Sequence, residues 1–301
     1  MALPHDPTRP SEGLVLSHLG QALAVEDHLG EIRLCQTRRQ IGAIAVGDRV
    51  TFIPAGEGLG RVESILERKS LLTRPAHAGR VRPVAANLDQ VMVVVAPEPE
   101  PDWLLVDQYT ASAAHRGIDL SIVINKIDRL KDRGGLDHEM AHYREMGYAC
   151  YPVSARTEEG LESLRSALRG KTSMLSGQSG VGKSSLTNAL LPGKNLRTRE
   201  LSEKAGLGRH TTTAAMLYHL PHGGDLIDSP GVAVFGLAEM NAEQLAWGYV
   251  EFRPFLDHCR FNDCRHREDR DCAVRKAAEA GTIHKARYLR FLKLIDKMHL
   301  R

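Results

Sequence analysis

Gly177-Gln178-Ser179-Gly180-Val181-Gly182-Lys183-Ser184 satisfies GxxxxGK(S/T) at every fixed position. It lies between the short apolar run Ser173-Met174-Leu175 and Ser185-Leu186-Thr187-Asn188-Ala189-Leu190-Leu191, which reads as a helix. Strand, glycine-rich loop and helix N-terminus form the setting in which backbone N–H groups curl around a phosphate. Residues Gly177 to Ser185 are therefore expected to hold nucleotide phosphates, with Lys183 neutralising charge and the Ser184 hydroxyl ligating Mg²⁺.

A second motif lies upstream. Asn125-Lys126-Ile127-Asp128 ends the run Leu120-Ser121-Ile122-Val123-Ile124, which reads as a buried parallel strand, and ligands sit at the carboxyl ends of such strands. The Asp128 carboxylate can accept from guanine N1–H and the exocyclic amine, a donor pair that adenine lacks. The plainer alternative for this tetrapeptide is a polar turn at a strand end. Val153-Ser154-Ala155 follows another candidate strand, Tyr148 to Val153, and matches the short loop whose backbone N–H supports guanine O6. An ordinary GTPase begins with the phosphate loop and ends with NKxD, so the order here reads as a circular permutation.

Asp228-Ser229-Pro230-Gly231 ends the strand-like Asp225-Leu226-Ile227 and matches DxxG, in which the Asp holds Mg²⁺ through water and the Gly amide senses the γ-phosphate. Gly208-Arg209-His210-Thr211-Thr212-Thr213 is a candidate first switch, and Thr212 aligns best with the Mg²⁺-binding threonine of related GTPases. Position 232 is Val rather than the glutamine that orients the attacking water in Ras-like enzymes. His210 is the nearest polar residue in the switch sequence that can orient a water or accept its proton.

Three of the five cysteines fall in Cys259, Cys264 and Cys272, which with His266 give C-x4-C-x-H-x5-C. Three thiolates and an imidazole make a closed tetrahedral set for structural zinc, one ion per chain. The alternatives are two disulfides or inert thiols. Cys35 and Cys150 stand alone and read as reduced core residues.

NKID, then SA, GQSGVGKSSL, HTTT, DSPG and the C-x4-C-x-H-x5-C set together resemble the RsgA family, the bacterial circularly permuted GTPases that depend on the small ribosomal subunit. The resemblance implies three domains: an all-β OB-type barrel over residues 1–85, a permuted α/β P-loop GTPase domain over 86–238, and a helical zinc-binding domain over 239–301. It also implies that GTP is hydrolysed to GDP and phosphate, with stimulation by the 30S subunit during its late maturation. The partners expected are GTP, GDP, the 30S subunit and 16S rRNA, with the protein itself a monomer.

The N-terminal third carries no motif, but short runs such as Leu14-Val15-Leu16, Ala22-Leu23-Ala24-Val25 and Asp48 to Ile53, separated by glycines, suggest a small β barrel. Arg61, Arg68, Lys69, Arg74, Arg80 and Arg82 form a basic exit from it, leading to the strand Val91-Met92-Val93-Val94-Val95. Pro97-Glu98-Pro99-Glu100-Pro101 reads as a stiff turn.

The net charge of +3 is modest, so RNA binding must rest on where the charges fall. From Ala273 to Arg301, eight basic residues face only Glu279 and Asp296. Tyr288, Phe291, Leu292 and Ile295 share a helix face, with Arg287, Arg290 and Lys297 off it, a pattern that favours phosphate contact over a merely solvated helix. The start lacks a signal-like core and no stretch has the length of a membrane span, which predicts a cytoplasmic protein. Two other classes fit part of the pattern: a non-catalytic nucleotide-binding RNA scaffold, and a P-loop kinase, against which NKID argues.

Overall fold

The computed structural model describes residues 10–38, 40–75, 81–130, 134–193, 215–229 and 240–299. The chain divides into two compact units. The first comprises Met1–Asp89, Leu168–Met174 and Thr187–Val232; the second comprises Gln90–Ala167, Leu175–Leu186 and Ala233–Arg301.

In the first unit, β1 (Ser11–Leu19), β2 (Ala22–Asp27), β3 (Ile32–Thr37), β4 (Arg49–Pro54) and β5 (Leu59–Ile65) form a closed ring. β1 pairs with β2, β2 with β3, β3 with β5, β5 with β4, and β4 returns to β1. Every pairing is antiparallel except β3 with β5. The result is an OB-like barrel, closed so that no strand edge is left open. Val15, Leu23, Val25, Cys35, Val50, Phe52 and Val62 fill it, one inward residue at every second strand position.

Much of the basic exit segment is neutralised within the fold. Arg68 donates from Nε and Nη2 to the fully buried Asp48, at 2.7 Å each, while Arg61 pairs with Glu63 and Lys69 with Asp89. β6 (Leu71–Pro75) and β7 (Val81–Ala86) make an antiparallel hairpin. β13 (Asp225–Asp228) lies parallel to the first residues of β11 (Thr172–Ser176) and antiparallel to β12 (Met216–His219), which meets β1 at Ser17.

The second unit is built on β8 (Gln90–Val95), β9 (Asp119–Ile124) and β10 (Ala149–Pro152), all parallel. All six residues of β8 are buried, in keeping with the unbroken apolar run from Val91 to Val95. The helices α1 (Trp103–His115), α2 (Gly134–Glu145), α3 (Leu161–Leu168) and α4 (Lys183–Leu190) follow β8, β9, β10 and β11 in turn. The C-terminal helices are α5 (Ala242–Gly248), α6 (Arg253–Leu256), α7 (Ala273–Glu279) and α8 (Lys285–His299). Leu245, Tyr249, Phe252, Val274, Phe291 and Leu294 form their shared core with Ala111 of α1. A Cβ on Gly248 would stand 2.7 Å from the Ala111 carbonyl oxygen, so α5 reaches α1 only because this residue is glycine.

One expectation about α8 is corrected. Arg287 is completely buried, and Arg290 is nearly so. Arg287 donates to Asp107 at 2.6 Å and to both oxygens of Glu251 at 2.7 and 3.1 Å; Arg290 donates to Asp107 at 2.6 Å and to Glu139 at 3.2 and 3.4 Å. The Tyr143 hydroxyl also donates to Asp107, and the Arg287 guanidinium lies 4.5 Å from the centroid of the Tyr249 ring. The buried stripe of α8 runs through 287, 288, 291, 294 and 295, so Arg287 lies on the packed face of the helix. Lys285, Lys293 and Lys297 are the α8 lysines left in solvent.

Removing one partner from such a network strands the others without compensation. Arg287→Ala should therefore lower the unfolding free energy of the second unit by ~3–5 kcal/mol, measured as a fall in the urea midpoint by circular dichroism. Lys293→Ala on the exposed face should move it by no more than ~0.5 kcal/mol.

Candidate functional site

The sequence from Gly177 to Ser185 leaves the end of β11 as a loop and enters α4 at Lys183. Ser179, Gly180, Ser184 and Ser185 are exposed, while Gly177 and Val181 are buried beneath them. Ser184 and Ser185 sit in the first turn of α4, where unpaired N–H groups and the helix dipole favour an anion. The Lys183 ammonium donates to the carbonyls of Gly177 at 2.8 Å and Gln178 at 2.7 Å, which folds the side chain back over the loop. Tyr109, wholly buried in α1, hydrogen-bonds to Ser176 and Gly177 and fixes the point at which the loop begins.

Asn125 joins this loop to the other motifs. It directly follows β9, is 2% exposed, and donates from Nδ2 to the Val181 carbonyl at 2.9 Å, while its Oδ1 accepts from the Ala155 N–H at 3.1 Å. A single amide side chain thus ties NKID, the phosphate-type loop and the Ser154-Ala155 loop into one cluster. Gly182 has φ 93°, and a Cβ there would fall 2.3 Å from Asn125 Nδ2. The glycine at this position is required both by its backbone conformation and by the amide packed against it.

Lys126 adopts the left-handed conformation, φ 63° and ψ 34°, and its ammonium donates to the carbonyls of Glu98 at 2.8 Å and Gly180 at 2.6 Å. Asp128 accepts from the Ser154 hydroxyl at 2.6 Å and from Arg156 Nε at 2.9 Å. The Ser154 hydroxyl, followed by the Arg156 charge, holds the Asp128 carboxyl below the usual carboxylate range. A carboxylate offers about four lone-pair positions, so these two bonds leave capacity for a ligand's donors.

Several contributors carry no motif. The Pro97–Pro101 turn reaches over the loop, since Gln178 Nε2 donates to the Glu100 carbonyl at 3.0 Å and Gln178 Oε1 accepts from the Asp102 N–H at 3.1 Å. Arg156 and the side chain of Ser154 belong to the Asp128 site through hydrogen bonds that residue spacing does not reveal. Asp228 ends β13 in the first unit. His210, Thr212 and Gly231 lie outside the described residues.

The cysteine and histidine set also converges. Cys259 Sγ and Cys272 Sγ each stand 3.5 Å from His266 Nδ1 and 4.0 Å from one another, and the four ligand atoms, Cys264 Sγ included, lie within 4.8 Å. A tetrahedral zinc with bonds of about 2.3 Å to sulfur and 2.0 Å to nitrogen spaces its ligands by about 3.5–3.8 Å. None of the cysteines is in a disulfide. Burial pushes the Cys264 and Cys272 thiols up and the His266 imidazole down, so gathering the thiolates here calls for a cation, while His266 is held neutral. The Arg275 N–H donates to Cys272 Sγ at 3.4 Å, and the Tyr288 hydroxyl donates to the His266 carbonyl at 2.7 Å. These contacts fix two of the ligands from outside the cluster.

The family model described as RsgA GTPase matches residues 65–238. The chain belongs to the RsgA GTPase family. A curated RsgA relative, the small ribosomal subunit biogenesis GTPase of Klebsiella pneumoniae (strain 342), is 46% identical over 299 residues, 96% of this chain and 84% of that protein. Among solved structures, YjeQ from Thermotoga maritima superposes with a TM-score of 0.77 at 34% identity, covering 97% of this chain and all of that one. YloQ, a circularly permuted GTPase, gives a TM-score of 0.77 at 26% identity over 99% and 98% of the two chains. With NKID ahead of GQSGVGKS, this chain has the circularly permuted order of motifs.

The convergence of Cys259, Cys264, His266 and Cys272 sets a direct expectation for composition. Elemental analysis of undenatured protein should find one tightly held zinc per chain, and Cys272→Ser or His266→Ala should lose it together with helical signal from the 259–279 segment, which has little core of its own.

Proposed function

We infer that this chain binds GTP with Mg²⁺, hydrolyses it to GDP and phosphate, and acts in biogenesis of the small ribosomal subunit. The observation that carries the reading is the Asn125 junction, which holds a phosphate-type loop and a guanine-type loop as one rigid cluster. Family membership and the 46% identity to a protein named for that role support the biological part.

In this reading Asp128 accepts from guanine N1–H and the exocyclic amine, with Ser154 and Arg156 keeping it charged and aimed. The Ser154-Ala155 loop faces guanine O6, with the Ala155 N–H shared between that oxygen and Asn125 Oδ1, and Gly177, Gln178, Ser179, Gly180, Val181 and Gly182 surround the phosphates. Charge-assisted bonds from Lys183 to phosphate oxygens replace its bonds to the Gly177 and Gln178 carbonyls. Mg²⁺ would be held by Ser184 and Thr212, with Asp228 acting through water, and would neutralise charge on the phosphates. Gly231 would sense the γ-phosphate and His210 would position the attacking water. We assign residues 1–85 as the OB-type domain, 86–238 as the permuted GTPase domain and 239–301 as the zinc domain, in a cytoplasmic monomer. Among the described residues no helix is long and apolar enough to cross a membrane. The barrel, the exposed Lys285, Lys293 and Lys297, and the zinc module are assigned to contact with 16S rRNA in the 30S subunit.

Phosphate release with purified 30S, 50S and 70S particles tests the whole reading. Turnover should rise with 30S alone and vanish in Lys183→Ala; no phosphate release with or without particles, despite GTP binding, would favour a nucleotide-binding scaffold. His210→Ala should lower the 30S-stimulated rate by ~10²-fold or more with nearly unchanged GTP affinity. In a second titration, Asp128→Asn should bind GTP ~10-fold or more weakly yet gain affinity for xanthosine triphosphate, whose 2-carbonyl can accept from the new amide.

A further inference from the structure

Away from the nucleotide and zinc residues, α2 carries His138-Glu139-Met140-Ala141-His142, with the two histidines one helical turn apart on the same face. Their Nε2 atoms approach to 3.2 Å. His284, in the segment entering α8, stacks on His142 with ring centroids 3.7 Å apart, and one ring nitrogen from each of the three lies within 4.8 Å of the others. Two facing Nε2 atoms can share a single proton. That leaves the third ring unexplained, since the His284 Nδ1 is buried and makes no hydrogen bond. Glu145 Oε2 stands 3.4 Å from His142 Nδ1, placed to orient the ring by its far nitrogen, as carboxylates behind metal-bound histidines do.

We propose that His138, His142 and His284 form a second metal site, for a divalent ion of the zinc, nickel or cobalt type, that ties α2 to the segment entering α8. Three imidazoles suit such ions, whose bonds of about 2.0–2.1 Å space tetrahedral nitrogens by about 3.3–3.4 Å, close to the His138–His142 separation. Glu145 brings carboxylate charge to the cavity it lines with His142 and His284, while Glu251 of the same lining is paired with Arg287. Binding turns His284 out of its stack so that its lone pair meets the others. The sequence HEMAH has the H-E-x-x-H form of zinc peptidases, in which the glutamate is the general base. Here the Glu139 carboxylate is committed to Arg290, at 3.2 and 3.4 Å, so the site is a tether rather than a hydrolytic centre.

The test is calorimetric titration of Ni²⁺ into the full chain, free of any histidine tag and with its cysteine site already loaded with zinc. One further equivalent should bind at micromolar metal. His142→Ala and His284→Asn should each weaken it at least ~10-fold, and Glu145→Gln by ~10-fold, with zinc content and far-ultraviolet circular dichroism unchanged. The exposed His138→Ala serves as the variant least able to disturb folding. Ni²⁺ should also raise the melting temperature of the parent protein and not that of His284→Asn. Absence of a second equivalent, or one that survives all three histidine changes, overturns the proposal and leaves a proton-sharing histidine cluster.

Discussion

The paired hydrogen bonds of the Asn125 amide are the constraint from which the nucleotide site follows. Nδ2 is a donor and Oδ1 an acceptor, so one planar group can satisfy the Val181 carbonyl on one side and the Ala155 N–H on the other, and no apolar residue of the same size can do so. Because Asn125 is buried at a strand end, leaving either half unmatched would carry a desolvation penalty, and the two loops are held in fixed relation by that penalty. Gly182 gives way to the amide, Lys126 turns the chain with a left-handed backbone, and Asp128 is delivered to the Ser154 and Arg156 pair three residues on. Permuting the chain leaves this junction untouched, since its bonds connect the ends of secondary-structure elements whatever the order in which those elements are synthesised.

The C-terminal segment is organised by a different economy of charge. A short cysteine-rich stretch cannot bury thiolates without a cation, and its ligands are set by a backbone N–H from α7 and a hydroxyl from α8. The same α8 sends two arginines to α1, where Asp107 accepts from both. A helix that reads as basic is therefore divided into buried cations that hold structure and exposed lysines that remain available to a polyanion. The distinction affects experiment: replacing Arg287 tests folding, and replacing Lys285, Lys293 or Lys297 tests recognition.

The motifs were legible because their chemistry requires fixed residue types at short spacing, and the barrel strands because inward and outward residues alternate around glycine turns. The helices α1, α2 and α3 were not read. In α1 the buried face carries Asp107, Gln108, Thr110 and Ser112, so the apolar period that marks a helix is broken by polar residues, of which Asp107 meets its partners 180 and 183 residues away. The strands β5 and β6 carry Arg61, Glu63, Thr73 and Arg74 among their apolar residues, and the charges disguise the alternation. Arg287 was misplaced for a related reason: its partner Asp107 lies 180 residues upstream, and nothing local marks a cation for burial. Arg156 and the Pro97–Pro101 carbonyls escaped because each acts through hydrogen bonds that depend on folding rather than on spacing.

The reach from Asp107 to Arg287 also sets a timetable for synthesis. As the chain leaves the ribosome, α1 emerges with a carboxylate destined for full burial, and the guanidinium groups that neutralise it follow 180 and 183 residues later. Until then Asp107 must stay hydrated, or α1 must wait unpacked, so the helix beside the nucleotide loop cannot settle when its own strand is complete. The barrel has no such dependence, because its five strands close on one another within residues 11–65. The barrel can thus mature early, and the second unit only when the far helix arrives.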